Sequence, residues 1–283
     1  MPELAFVNGE FMPLAKAVVP VEDRGFQFAD GVYEVVGTYG GQPYKLQAHL
    51  SRLERCLQEL YLPLDIRSYG LEEKIIEGIH RCGFAEALVY IQVTRGVAPR
   101  RHEFPRQALQ PTVVMTFKEL LRLPADLYER GVAVISTADL RWKRCDIKSI
   151  ALLANILAKQ EASEKGAFEA LLINEDGHVT EGSSTSAFCV RSGQLWTSPE
   201  GPHILPSITR GVLLDLARQS HLPIREEFSS LEDFLGADEV FLGGTTTEAI
   251  AVVEIDGKPV GDGKPGPVAR ELRAAFSREV GLG

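Results

Sequence analysis

Hydrophobic and polar positions follow two rhythms along this chain. Apolar and polar residues alternate on either side of Asn8-Gly9, a dipeptide that favours the tightest hairpin turns, so "LAFVNGEFMPL" predicts a β-hairpin. "GVYEVVGTYGGQPYKL" predicts another, turning at Gly40-Gly41. The period then lengthens. In "LQAHLSRLERCLQEL" the residues Leu46, Leu50, Leu53, Leu57 and Leu60 share one helical face, and "LEEKIIEGIHRCG" is a second helix with glycine where a helix stops. "ALVYIQVTRG" and "PTVVMTF" are rich in β-branched residues and predict strands, which makes this first part α+β.

The strand pattern breaks around "KELLRLPADLYERG" and resumes at "VAVIST". The expected division is a small domain at residues 1–119, a linker at 120–124 and a larger domain at 125–283. The larger part is expected to carry an apolar helix, "SIALLANILAKQEASEKG", starting right after Lys148, and hairpins at Asp176-Gly177, Ser192-Gly193 and Asp256-Gly257. A helix from about Thr209 to Ser220, a capping box at "SSLED" and a closing surface helix, "VARELRAAFSREV", complete it.

Composition changes this picture mainly by exclusion. With 283 residues, 45% hydrophobic and 24% charged, the chain has ordinary globular composition. A net charge of -9 and a pI near 5.3 argue against broad binding to nucleic acid or an anionic membrane. Cys56, Cys82, Cys145 and Cys189 form no CxxC pair, so neither a disulfide framework nor a metal site is expected, and a reducing cytoplasm fits. No apolar run approaches the roughly 20 residues that cross a bilayer.

Four stretches could carry chemistry. Lysine condenses with an aldehyde only as a neutral amine, so a lysine used that way needs desolvation or positive neighbours. Lys148 has Ile147, Ile150, Leu152 and Leu153 as expected apolar cover, and Arg141, Lys143 and Arg144 as expected sources of positive potential. Local sequence leaves it open whether Lys148 is such an amine or a solvated cation at a helix end. "TEGSSTSAF" combines Glu181, able to face a heterocyclic nitrogen, with Ser183 and Ser184 in a hydroxyl-rich turn, and taken alone it reads better as a polar turn with a solvated glutamate. Arg52, Thr209 in "PSITRG" and Thr245 and Thr246 in "GGTTTE" are candidate anion holders, each weak alone. "VTRGVAPRRHEFP" puts Arg95, Arg100, Arg101 and His102 in one loop of an acidic protein, a candidate carboxylate trap or an ordinary exposed loop. His49, Lys159 and Glu161 read as ordinary helix residues.

Taken in order, "EDRGFQFADGVYEVV", "VTRGVAPRRHEFP", "RWKRCDIKSIALLANILAKQEASEKG", "VTEGSSTSAF", "ILPSITRG" and "GGTTTEAIAVVEIDG" resemble the fold-type IV (class IV) aminotransferases that use pyridoxal 5'-phosphate, and within them the bacterial D-amino-acid branch. The resemblance runs from near residue 4 to near residue 276. It implies a two-domain α+β enzyme, with a small α/β sandwich domain and a larger, β-barrel-like α/β domain, acting as a homodimer. Lys148 would hold the cofactor as a Schiff base and shuttle the α-proton, and Glu181 would partner the pyridine nitrogen. Arg52, Ile208, Thr209 and Thr245 would hold the phosphate, with Gly244 where the family has serine. Leu205 would pack on the ring, with Ser183 and Ser184 behind it. Tyr33, with Arg100 and His102 lent by the neighbouring subunit, would bind the substrate carboxylate.

The implied reaction moves an amino group from a D-amino acid, of the D-alanine, D-glutamate or D-aspartate class, to a 2-oxo acid such as 2-oxoglutarate or pyruvate. Branched-chain L-amino-acid transaminase, (R)-amine transaminase and aminodeoxychorismate lyase share the lysine–glutamate pair, and the Arg100-x-His102 loop with Tyr33 is what separates them. A non-catalytic carrier would have lost the lysine or the glutamate. Two departures touch the cofactor's surroundings: Thr185 and Ser186 stand where the family has serine and asparagine, and Gly244 where it has serine.

Overall fold

The computed structural model describes residues 3–282. Two compact units divide the chain. One holds the residues up to Leu121 together with Ile147–Ala151, and the other holds Arg122–Asp146 and the chain from Leu152 onward.

In the first unit β1 (Leu4–Val7) and β2 (Glu10–Pro13) close the hairpin expected at Asn8-Gly9, both residues taking positive φ, 46° and 109°. The helix α1 (Arg24–Phe28) is capped by Asp23, whose side chain accepts from Gly25 N. After it, β3 (Gly31–Tyr39) turns at Gly40-Gly41 into the short β4 (Gln42–Pro43), again as expected. The helices α2 (Leu46–Glu59) and α3 (Leu71–Cys82), and the strands β5 (Ala87–Thr94) and β6 (Thr112–Glu119), complete a six-stranded sheet of order β2-β1-β6-β5-β3-β4. Leu46, Leu50, Leu53 and Leu57 of α2 are buried with Val32, Val36 and Ile91 of the sheet, and Leu60 packs at the margin. Each such leucine contributes about 2 kcal/mol by leaving water.

The second unit begins with α4 (Ala125–Arg130) and β7 (Val132–Ala138), followed by α5 (Leu153–Glu164) and the strands β8 (Glu169–Ile173), β9 (His178–Gly182), β10 (Ser186–Arg191) and β11 (Gln194–Thr197). Next come α6 (Ile208–Gln219), β12 (Ile224–Glu226), β13 (Ser229–Ser230) and α7 (Leu231–Leu235), which starts with the expected capping box of Ser230 and Asp233. The chain closes with β14 (Glu239–Gly244), β15 (Glu248–Ile255), β16 (Lys258–Pro259) and α8 (Pro267–Glu279). The ten-stranded sheet has the order β12-β11-β10-β14-β15-β7-β8-β9-β13, with β16 on β15. It is mixed: β7 runs parallel to β8 and β15, β11 parallel to β12, and the other pairs are antiparallel. Hairpins form at all three expected turns. Val134, Leu171, Val179, Leu242, Ile250 and Val252 form its core.

One expectation is corrected. The helix predicted to begin right after Lys148 begins at Leu153. Before it the chain runs extended beside β3: Val32 and Ser149 form an antiparallel bridge, Tyr33 N donates to Lys148 O at 2.9 Å, and Ile150 N donates to Gly31 O at 3.1 Å. The cause lies in β3. Its pairing with β4 covers only Thr38 and Tyr39, so its first residues present open peptide groups on that edge, and the 148–150 segment takes them. Apolar periodicity cannot reveal that competition. Leu153 is accordingly 70% exposed and is no cover for the lysine, while Ile147 is buried.

Gly31 sits tightly between β5 and the 148–150 segment: a Cβ there would stand 2.6 Å from Val93 O of β5 and 3.1 Å from Ile150 Cδ1. Gly31→Ala should therefore destabilise the protein by about 1–3 kcal/mol and lower Tm by several degrees, read in a thermal melt. An unchanged Tm would show that β3 can shift away from β5 and the Ile150 side chain at no cost.

Candidate active site

In the first unit, the strand pairing fixes the backbone of Lys148. Its N–H donates to Cys56 Sγ at 3.3 Å, its carbonyl accepts from Tyr33, and its Nζ lies 4.2 Å from the centre of the Tyr33 ring. Among the described residues Nζ has no ion-pair partner. Tyr33 in turn stacks on Tyr90 at 5.6 Å, and burial pushes the Tyr90 phenol up to about 12. Alternation along β3 turns Tyr33 to the face opposite the buried Val32 and Glu34.

Glu34 explains two further residues of α2. It is 1% exposed, and it accepts from Arg52 Nε at 2.7 Å and Arg52 Nη2 at 2.8 Å, with His49 Nδ1 at 2.7 Å from the same carboxylate. Burial raises its pKa, but the Arg52 and His49 contacts outweigh burial and hold the carboxyl at about 2. Arg52, expected as an anion holder, is thus oriented by a bidentate pair. His49 is no ordinary helix residue: it is buried against Glu34, a partner that helical periodicity does not show. Arg100 and His102 also lie in this unit, exposed, both against the ring of Phe28.

The second unit builds its own cluster on β9. Glu181 is 6% exposed; Arg141 Nη1 donates to its Oε1, and Leu205 N lies 3.2 and 3.3 Å from its two oxygens. Burial pushes the Glu181 carboxyl up, and the Arg141 guanidinium opposes that shift. Arg141 is gripped by Asp139 at 2.8 and 2.9 Å, and it also donates to His203 O at 3.1 Å. Thr180 Oγ1 donates to Asp139 at 2.9 Å. Asp139 is held below its usual range because Arg141 and Thr180 outweigh its burial. Of the expected sources of positive potential, Arg141 pairs with Asp139 and Glu181, and Arg144 pairs with Asp146 at 2.9 Å.

The hydroxyls that follow Glu181 also have a partner that the sequence hid. Ser183 Oγ donates to Glu169 Oε1, Ser184 Oγ to Glu169 Oε2 at 2.8 Å, and Thr185 Oγ1 to Oε2 at 3.4 Å. Glu169 is fully buried, and Lys159 Nζ stands 3.7 Å from it, so Lys159 is not a plain helix residue either. Glu161 accepts from Thr137 and Lys165. Ser186 keeps a buried hydroxyl with no hydrogen-bond partner among the described residues. Ile208 and Thr209 form the first turn of α6, where Ser207 caps Arg210 N at 3.2 Å. Thr245 follows Gly244 in the turn between β14 and β15.

A family profile for amino-transferase class IV matches residues 31–255. The chain belongs to the class IV aminotransferases. A D-alanine aminotransferase of Staphylococcus haemolyticus is 38% identical over 97% of this chain and 97% of its own, and one of Bacillus licheniformis is 37% identical over 96% and 95%. Among solved structures, a branched-chain amino acid aminotransferase of T.th. with pyridoxamine 5'-phosphate superposes with a TM-score of 0.92 at 27% identity, covering 100% of this chain and 96% of that one. The Escherichia coli branched-chain enzyme, at 24% identity and a TM-score of 0.91 over the same shares, has the same fold. The fold-type IV expectation is met.

The residues of this aminotransferase fit a phosphorylated, ring-bearing cofactor. The α6 start offers the positive end of a helix and the Thr209 hydroxyl, Thr245 adds another hydroxyl, and Glu181 is a fixed buried acceptor. At Gly244 a Cβ would meet nothing nearer than 3.6 Å, so the family's serine would fit and its absence opens space without disrupting the turn.

The Glu34 pair carries a pH signature. A carboxyl lowered from 4.5 to about 2 stabilises the fold at every pH above its ordinary value, and that stabilisation is lost as pH falls through 4.5 toward 2. The loss is on the order of 3 kcal/mol. Glu34→Gln, which leaves Arg52 without its counter-charge, should cost about 3–5 kcal/mol at pH 7 in urea unfolding and flatten the acid limb of the stability profile. An acid limb as steep as the parent's would assign it to other carboxylates.

Proposed function

We propose that this aminotransferase is a pyridoxal 5'-phosphate enzyme that moves the amino group of a D-amino acid, of the D-alanine, D-glutamate or D-aspartate class, to a 2-oxo acid such as pyruvate or 2-oxoglutarate. The observation that carries this reading is the similarity to D-alanine aminotransferases across 97% of the chain. The clamped Lys148 and the buried, hydrogen-bonded Glu181 support it.

The cofactor, when bound, supplies an electron sink for the substrate's α-carbon. Lys148 would be the covalent anchor of the cofactor, and its freed amine would take the α-proton as base and deliver it as acid to the cofactor's reacting carbon rather than back to the α-carbon. Held by both of its backbone groups, it delivers that proton from one direction, which favours one hand of substrate. Glu181, paired with Arg141 and aimed by Leu205 N–H, would face the ring nitrogen and hold a proton on it. In the second unit Ile208, Thr209 and Thr245 would hold the phosphate, with Gly244 leaving that side open; in the first, Arg52, its angle set by Glu34, would serve as an anion holder. Leu205 packs on the ring. Ser183 and Ser184 back it, their protons committed to Glu169.

Tyr33, Arg100 and His102 bind the substrate carboxylate, the last two coming from the neighbouring subunit of a homodimer. The dimer is supported by exposed apolar residues of α5: Leu153, Ile156 and Leu157 are 70%, 59% and 58% exposed, at a spacing that lines one helical face. A cytoplasmic location agrees with four free, buried cysteines, and no described helix is long and apolar enough to cross a membrane.

The branched-chain structures favour one other reading, an L-amino-acid transaminase on the same fold. A half-reaction separates the two. Cofactor-loaded protein is mixed separately with D-alanine, D-glutamate, L-leucine and a simple chiral amine while its visible absorbance is followed. Bleaching by the D-amino acids alone is expected; bleaching by L-leucine or the amine overturns the substrate assignment. Lys148→Ala should lose both the substrate-sensitive absorbance and turnover, by at least roughly a thousandfold. Ile156→Glu should shift the protein from dimer toward monomer in sedimentation, and an unshifted dimer would place the contact elsewhere.

A further inference from the structure

We propose that Arg24 is the positioning residue that holds the 100–102 loop in its carboxylate-binding shape, and that it thereby sets substrate affinity and handedness. This rests on the reading of Arg100 and His102 as carboxylate ligands.

The loop between β5 and β6 has little to order it. Residues 98–111 carry no helix or strand, and Arg100, Arg101, His102 and Glu103 are all exposed. A long irregular segment of this kind loses much conformational entropy on ordering, so something buried has to hold it if its two basic side chains are to act as a pair. Its beginning is tied by the backbone: Asp23 bridges Val97, Arg24 N donates to Gly96 O at 2.9 Å, and Ala98 N donates to Glu22 O at 3.3 Å. Beyond that point Arg24 is the side chain that bonds the loop's backbone at residues 101 and 102, while Arg95 lies 3.7 Å over the Phe104 ring further on.

Arg24 is 3% exposed. Its Nη1 donates to Arg101 O at 2.6 Å, its Nη2 to His102 O at 3.3 Å, and its Nε to Asp30 Oδ2 at 2.7 Å. Asp30 is itself fixed by Arg95 at 2.8 and 3.0 Å, and Arg95 donates onward to Leu60 O at 2.7 Å and Tyr61 O at 3.1 Å, just past the end of α2. The fork of Arg24 thus ties the loop to a rigid helix through two buried ion pairs. The same short helix supplies a second hold. The ring of Phe28 lies 4.6 Å from the Arg100 guanidinium and 5.5 Å from the His102 ring, and 4.9 Å from Arg24 itself.

The electrostatics give this arrangement a direction. Two successive carbonyl oxygens at residues 101 and 102 would oppose an anion approaching Arg100 and His102. A guanidinium bonded to both oxygens neutralises that opposition while leaving the loop's own cations exposed. Lysine cannot reproduce this, because one ammonium has no planar fork to span a carboxylate and two carbonyls.

The test uses the cofactor-loaded enzyme and four variants: Arg24→Lys, Phe28→Leu, Arg100→Ala and His102→Ala. KM and kcat are measured for D-alanine and D-glutamate, D-over-L preference by the half-reaction, and amide exchange over residues 99–104 by mass spectrometry. Arg24→Lys is expected to raise KM roughly tenfold or more with kcat within about threefold, to erode D-preference and to speed exchange in the loop, with cofactor absorbance unchanged. Phe28→Leu should raise KM by roughly threefold to tenfold. If Arg100→Ala raises KM but Arg24→Lys changes neither KM nor loop exchange, the positioning role is overturned and the carboxylate trap stands. If Arg100→Ala and His102→Ala both leave KM unchanged, the trap itself fails and the role of Arg24 with it. A parallel fall in kcat and cofactor absorbance in Arg24→Lys would also overturn the proposal, as general damage to the fold.

Discussion

Two backbone hydrogen bonds, from Tyr33 N to Lys148 O and from Ile150 N to Gly31 O, govern where the lysine stands. They satisfy the open edge at the start of β3, and the rest follows from that demand. Residues 147–151 join the first unit although the sequence on both sides of them belongs to the second. An extended segment alternates its side chains, so Ile147 and Ser149 are buried while Lys148 between them is not, and its Nζ meets the Tyr33 ring. A helix starting at the lysine would have given its peptide groups to its own turns and left β3 bare.

Three of the protein's buried carboxylates are satisfied in three different ways. Glu34 has a guanidinium and an imidazole, Glu181 a guanidinium and a peptide N–H, and Glu169 a set of hydroxyls with a lysine 3.7 Å away. An isolated buried carboxylate would cost several kcal/mol, so in each case the partners are as necessary as the acid. The partners also fix position: a charge held by two or three fixed donors has little freedom to turn.

Much of this was legible in the sequence where the signal is local. Asn8-Gly9 and Gly40-Gly41 mark their hairpins, the α2 leucines mark a buried face, and "SSLED" marks a cap, because each is decided within a few residues. Partnerships across distance were not legible. His49 reads as a helix residue because nothing near it names Glu34, and Arg141 reads as loose positive charge because Asp139 and Glu181 converge on it only in the folded sheet. The late start of α5 has the same origin, an edge far back in the chain. Arg24 sits inside a recognisable stretch, yet its two carbonyl partners lie 77 and 78 residues away. Lys148 and Glu181 stood out only when several motifs were read together.

Glu169 gives the turn at Ser183–Thr185 an unusual grammar. What the carboxylate asks of each position is a proton to share, and both serine and threonine supply one; Thr185, where the family has serine, still reaches Oε2 at 3.4 Å. Exchange between these two residues is therefore close to a synonym. The loop can drift in spelling while keeping its meaning, and a substitution that removes the hydroxyl would be a different word.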